Sequence, residues 1–291
     1  DARRVIDRAL EIQRAALGDG HPAVGKSLHM LAQLQLRMGK TDAALAAQQK
    51  SYAILLAAYG EGHRDVALSV GVAAQAYMFA GKYAEALPYA KRSAELTERA
   101  AGPDAPDTAA ALQAYAAALT RAGKLDDALA NHQRALAIRM KTLGPDHIQT
   151  TQSEVSVAMA LRTQHRCGEA LPLLEAALAA RTKQLPANHP DILRVLASLG
   201  DCQVDLGKLG DAIAPLERVV TGNDATPRRT ADDHVTHALG IYSLARALWD
   251  ANTSRDRALR LARDAHAELV ALPDKRAADL EAWARERHVK L

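Results

Sequence analysis

The sequence predicts an all-α chain built as an α-solenoid of antiparallel helix pairs, and three observations carry that prediction. The first is a repeat: a basic residue followed four positions later by Ala and five by an aliphatic side chain recurs every 42 residues. It does so at Lys40/Ala44/Leu45, Lys82/Ala86/Leu87, Lys124/Ala128/Leu129, Arg166/Ala170/Leu171 and Lys208/Ala212/Ile213, with no insertion or deletion between copies. A fixed period of this size marks a stacked array in which each unit buries its apolar face against its neighbours. The second is composition, 48% hydrophobic but only 3% aromatic, with the apolar weight in Ala and Leu, which favour helix over strand. The third is punctuation: Gly18, Gly60, Gly102 and Gly144, with Pro186 in the fifth slot, close the helices at the same phase of every repeat.

Taken in order, the segment DARRVIDRALEIQRAALG reads as a helix, the second half of a pair, because Ala9, Leu10 and Gly18 align with Ser51, Tyr52 and Gly60. The chain thus begins in mid-repeat and is expected to be a piece of something longer. In the first full repeat, Val24, Leu28, Leu31, Ala32 and Leu34 mark one helical face that ends at Gly39. A second stripe follows at Ala44, Leu45, Ser51, Tyr52 and Leu55 and stops before Gly60. His21-Pro22 and His189-Pro190 put Pro in the first helical turn, where its missing N–H costs nothing, and His63 and His147 hold the same phase. Gly39, Gly81, Gly123 and Gly207 fall where a helix needs a left-handed terminus, and His165 occupies that slot in the fourth repeat, predicting a less relaxed turn. Ala44, Ala86, Ala128, Ala170 and Ala212 hold one position of the second helix, where a larger side chain would force the pair apart.

After Val220 the register breaks. Residues 1–220 are read as five regular repeats preceded by a half repeat, and residues 221–233, TGNDATPRRTADD, as an irregular connection. Residues 234–291 follow as a degenerate sixth pair, HALGIYSLARALWDA and DRALRLARDAHAELVAL, and a polar capping helix from about Ala277 to His288 that carries Asp279, Arg285 and Glu286 beside Lys275 and Arg276. The whole is expected to form one continuous solenoid.

Leu31-Ala32, Gly39 and Ala44 resemble the Leu-Gly step, inter-helix turn and signature Ala of tetratricopeptide repeats, whose usual unit is ~34 residues. The 42-residue period, LGPDHIQT loop and GKYAEAL and GKLDDAL turns more specifically resemble the kinesin light chain type of repeat. This resemblance implies a right-handed superhelix whose first helices line a concave groove. The ending, with ALWDA, an Ala, Leu and Arg-rich helix, Trp283 and His288, also resembles the tails that follow bacterial serine/threonine kinase domains.

Carried over by position, the resemblance implies a groove set: Lys26, His29, Gln33 and Arg37; Gln75, Met78 and Phe79; Gln113 and Arg121; Met159 and Arg162; Arg194 and Asp201; Tyr242 and Arg246. Basic residues outnumber acids in it, which predicts a protein or peptide partner with acidic residues held by Arg37, Arg121, Arg162 and Arg246. The paired Asn of kinesin light chains is absent, with His29/Met30 and Gln113/Ala114 in those places, so their cargo specificity is not implied.

A net charge of +3 spread over every repeat, together with few aromatics, argues against a nucleic-acid ligand. No apolar run is long enough to span a bilayer. Cys167 and Cys202 lie 35 residues apart without metal or disulfide spacing, so a reducing, cytoplasmic setting is expected. The four in-phase histidines read as loop residues, and Asp233, His234 and His237 lack a third strong ligand at metal spacing. With no phosphate loop, no GxSxG and no conspicuous carboxylate pair, neither an enzymatic role nor a cofactor is expected of this segment. The function expected is a non-catalytic scaffold binding a partner in the concave groove; the alternative is the regulatory or substrate-docking tail of a larger bacterial serine/threonine kinase.

Overall fold

A computed structural model describes residues 2–224, 231–271 and 277–291. The described residues form helices α1 (Ala2–Leu17), α2 (Pro22–Arg37), α3 (Thr41–Tyr59), α4 (Arg64–Phe79), α5 (Tyr83–Ala101), α6 (Pro106–Arg121), α7 (Leu125–Leu143), α8 (Ile148–Thr163), α9 (Cys167–Thr182), α10 (Pro190–Asp205), α11 (Leu209–Asp224), α12 (Ala231–Asp250), α13 (Arg255–Val270) and α14 (Ala277–Glu286). They divide into two compact units, Asp1–Gly144 and Pro145–Leu291. In the first, α1 leads into the pairs α2/α3, α4/α5 and α6/α7; in the second, α8/α9, α10/α11 and α12/α13 are followed by α14. Within each unit, each helix packs most heavily on its sequence neighbours, so consecutive pairs stack.

Three local devices, repeated in phase, set these boundaries. The residue before each second helix donates its backbone N–H across the turn to a carbonyl five residues earlier: Lys40 to Gln35, Lys82 to Tyr77, Lys124 to Leu119, Arg166 to Leu161 and Lys208 to Gln203, at 2.8 to 2.9 Å. That bond needs a left-handed residue just before it, and Gly39, Gly81 and Gly207 (φ 71°) and Gly123 (φ 77°) supply it. His165 adopts φ 59° in the same slot, so the turn predicted to be strained is present and carried by a side-chain-bearing residue. The second device is the set of in-phase alanines, Ala44, Ala86, Ala128, Ala170 and Ala212, all 0% exposed. The third lies at the loop histidines. Each is an N-cap whose Nδ1 accepts the backbone N–H two residues on, from Ala23, Asp65, Gln149 and Asp191, at 3.2 Å. An N-cap acceptor satisfies one of the four helix-start N–H groups that have no partner within the helix. The third repeat has Ala105 in this position and no side-chain cap.

Two boundaries differ from the strict period. Helix α9 spans 16 residues where α3, α5 and α7 span 19. Pro186 stands where Gly60 and Gly102 stand, and a residue preceding proline is driven out of the helical region, so the helix ends early. The segment 221–233 is in part helical: α11 runs through Asp224 and α12 starts at Ala231, leaving 225–230, like Lys275 and Arg276, outside the described residues.

Candidate functional site

In the first unit the outer faces of α2, α4 and α6, with part of α5, enclose a groove of about 830 Å³. Its floor is built of small residues, among them Gly71, Ala110, Ala114 and Ala117. At Gly71 a Cβ would come within 3.0 Å of Ser93 Oγ, so glycine lets α4 and α5 approach. Leu68, Met78 and Phe79 rise from α4 as apolar walls. Phe79 is the only Phe of the chain and is 74% exposed. At the helix-start end Arg64 Nε donates to Asp107 Oδ2 at 2.9 Å, joining α4 to α6. At the other end Arg121 has no ion-pair partner among the described residues. Of the predicted residues, His29, Gln33, Gln75, Met78, Phe79 and Arg121 line this one groove. The Gln33 amide lies 3.0 Å from His29 Nε2, and burial pulls the imidazole below its ordinary pKa, leaving a neutral ring to accept.

Lys26, Arg37 and Gln113 lie outside that lining. Lys26 is held at 2.8 Å by Asp65 and sits over the Tyr59 ring, 5.6 Å from its centroid. Arg37 is exposed in the last turn of α2, and Gln113 is half-buried.

The second unit holds a smaller pocket of about 400 Å³, walled by α8, α10, α12 and α14. Arg162, Asp201, Tyr242 and Arg246, all predicted, meet there. Asp201 accepts from both Arg162 and Ser243, and Arg246 Nη2 donates to Asp205 Oδ1 at 2.9 Å while lying 5.7 Å from the Tyr242 ring. Arg287 from beyond the end of α14 binds Asp250 through two nitrogens, at 2.8 and 3.1 Å, and covers the Trp283 ring. Burial pushes the Tyr242 phenol up to about 12, and its hydroxyl donates to the Asp279 carbonyl at 3.3 Å. Every arginine of this pocket therefore carries its own carboxylate partner. Met159 is exposed on α8, and Arg194 lies 3.4 Å from Asp191, both apart from the pocket lining.

The remaining chemistry-bearing residues are engaged in packing. His237 is 3% exposed with Nδ1 2.9 Å from Glu268 Oε2, tying α12 to α13. Cys167 and Cys202 are free, buried and next to one another, and burial pushes both thiols up, away from the reactive thiolate. Four buried ionisable residues escaped the sequence reading: His132, Arg139, Glu154 and Arg181. The register itself held the signal, because Glu154 stands in the slot of Leu28, Val70, Leu112 and Leu196, all core residues. Burial raises its carboxyl pKa against the opposing pull of Arg181, which donates to Thr151, Gln152 and the Asp191 carbonyl at 3.0 to 3.2 Å.

Stacked pairs of consecutive helices, with a groove along the first helices of the first unit, define a helical-repeat protein. The tetratricopeptide repeat pattern matches residues 1–57, 65–141, 114–183 and 149–223, and the chain belongs to that family. Among solved structures it is similar to the putative kinesin light chain nearly identical TPR-like repeats of Podosopora anserina, at 25% identity and TM-score 0.63 over 72% of this chain and 99% of that one. It is also similar to BtubC (BKLC) from P. vanneervenii, at 16% identity and TM-score 0.67 over 79% and 93% of the two chains. A third similar structure is YrrB, described as a TPR protein with an unusual peptide-binding site, at 15% identity and TM-score 0.50 over 81% and 97%. Among curated proteins, none matches significantly. No described helix is long and apolar enough to cross a membrane.

Proposed function

We propose that the chain is a non-catalytic interaction scaffold that takes a peptide or protein segment in the groove of its first unit. Apolar side chains of the ligand pack on Leu68, Met78 and Phe79, and an acidic group of the ligand meets Arg121. The observation that carries this reading is the exposed Phe79 standing in a groove of about 830 Å³ beside a cation without an ion-pair partner among the described residues. Peptide recognition in such grooves combines aromatic or aliphatic anchors with a few charge-assisted bonds that fix register. Membership of the tetratricopeptide repeat family and the peptide-binding site named for YrrB support the same reading. Three of the other predicted groove cations are matched to carboxylates, Lys26 to Asp65, Arg162 to Asp201 and Arg246 to Asp205, which favours a protein ligand over nucleic acid. Two free buried thiols accord with a reducing, cytoplasmic setting.

Selection of displayed peptides on the chain tests this. Enriched sequences should combine an apolar anchor with Asp or Glu, should lose about tenfold or more in affinity to Phe79→Ala, and should weaken with Arg121→Glu. Peptides that bind both variants as they bind the parent chain would sink the proposal.

A further inference from the structure

A second groove opens on the opposite side of α4. Val70, Ala73 and Tyr77 lie about half a turn around this helix from Leu68, Gln75 and Phe79, since successive residues step by ~100°. Together with α3 and α5 they bound about 780 Å³ that shares no lining residue with the first groove. Tyr52 enters it from α3, Tyr77 from α4 and Tyr89 from α5, three of the seven tyrosines of a chain that is only 3% aromatic. The rings of Tyr77 and Tyr89 are stacked, with centroids 5.3 Å apart and planes 23° from parallel, and Pro88 adds a rigid apolar rim beside them.

The polar groups of these walls are few and, apart from Arg92, neutral. Phenol hydroxyls, the Gln49 amide and the Arg92 guanidinium can all donate, and no carboxylate lines the groove. The Arg92 charge is met by Glu61, with Glu95 3.7 Å away, so the walls carry no free charge. The complementary ligand is therefore uncharged and largely apolar, with flat rings for the tyrosine faces and carbonyls for the wall donors. Among peptides, that description fits a polyproline II helix. It has no N–H to leave unpaired at proline positions, its pyrrolidine rings lie flat on aromatic faces, its carbonyls project outward, and little ordering entropy is lost on docking.

We propose that the α3/α4/α5 groove docks a proline-rich segment of a partner protein in the polyproline II conformation. The proline rings lie against the Tyr77/Tyr89 wall and Tyr52, and the ligand carbonyls accept from tyrosine hydroxyls and the Gln49 amide.

A fluorescein-labelled ten-residue polyproline peptide titrated with the full chain, followed by anisotropy, provides the test. Saturable binding is expected, weakened about tenfold by Tyr89→Ala and by Tyr77→Ala and less by Tyr89→Phe, which keeps the ring and removes the hydroxyl. Phe79→Ala and Arg121→Glu, in the other groove, should leave it unchanged. Tyr89 is 39% exposed, so its variants should keep the parent's circular dichroism melt, which separates loss of binding from loss of fold. Absence of saturable binding, equal binding by parent and Tyr89→Ala, or tighter binding of a glutamate-rich peptide of the same length would each overturn the proposal.

Discussion

Acid should destabilise the first unit chiefly through one buried imidazole. His132 lies on α7, 8% exposed, in the slot that carries Ala90, Leu174 and Leu216 in other repeats, and its Nδ1 has no hydrogen-bond partner among the described residues. Burial pulls its pKa from the ordinary 6.5 down to about 4. The folded chain therefore holds His132 neutral where the unfolded chain protonates it, so the unfolded state binds more protons between pH 4 and 6.5. Stability must fall as pH drops through that window, with the full loss reached below about 4. At ~1.4 kcal/mol per pH unit the window is worth about 3 kcal/mol, of which about 2 to 2.5 kcal/mol is lost by pH 4.5. His132→Leu, with the residue already accommodated at Leu174 and Leu216, removes the titrating group at similar volume. Guanidinium chloride unfolding followed by circular dichroism at pH 7.5 and 4.5 should show the parent losing about 2 kcal/mol more than the variant. Parallel losses in the two proteins would refute the reasoning, as would an imidazole that titrates by NMR near its ordinary value.

Two further predictions concern the turns. Replacing the cap histidine His147 or His189 by Ala should cost about 1 kcal/mol each in thermal or denaturant unfolding, while Asp in the same place should retain the stability and Ala105→Ser should add a similar increment. At the strained turn, His165→Gly should stabilise by about 1 kcal/mol, because φ 59° is free to glycine and costly to histidine; an unchanged or lower midpoint would mean the imidazole makes a compensating contact.

The helix pairs, their left-handed turns and the five packed alanines were legible because each depends on residues close in sequence and repeats in phase. The same phase gathered His29, Gln33, Gln75, Met78, Phe79 and Arg121 along one groove. Pairing of the charges was less accessible, since it depends on side chains from neighbouring repeats. A usable trace of it exists nonetheless: Lys26–Asp65, Arg64–Asp107, Arg162–Asp201, Asp205–Arg246 and Glu217–Arg257 are each separated by one period to within three residues. Opposite charges one repeat apart are thus candidates for mutual neutralisation. The expectation that Arg162 and Arg246 serve an acidic ligand must be read with those partners in place; of the remaining two, Arg121 lines the first-unit groove and Arg37 does not. The tyrosine groove was hidden for another reason. Tyr52, Tyr77 and Tyr89 occupy unrelated phases of the repeat, and only the meeting of three helices brings them together.

The uniform bond across the five turns, 2.8 to 2.9 Å in each, draws only on residues within a single turn. Gain or loss of a whole 42-residue module therefore leaves every other turn intact, whereas one residue added within a helix would rotate all that follows by ~100° and carry a packed alanine to solvent. Such a chain can change its length by duplication far more cheaply than by small insertions. Its length can then evolve as a count of modules while the chemistry of each groove diverges on its own.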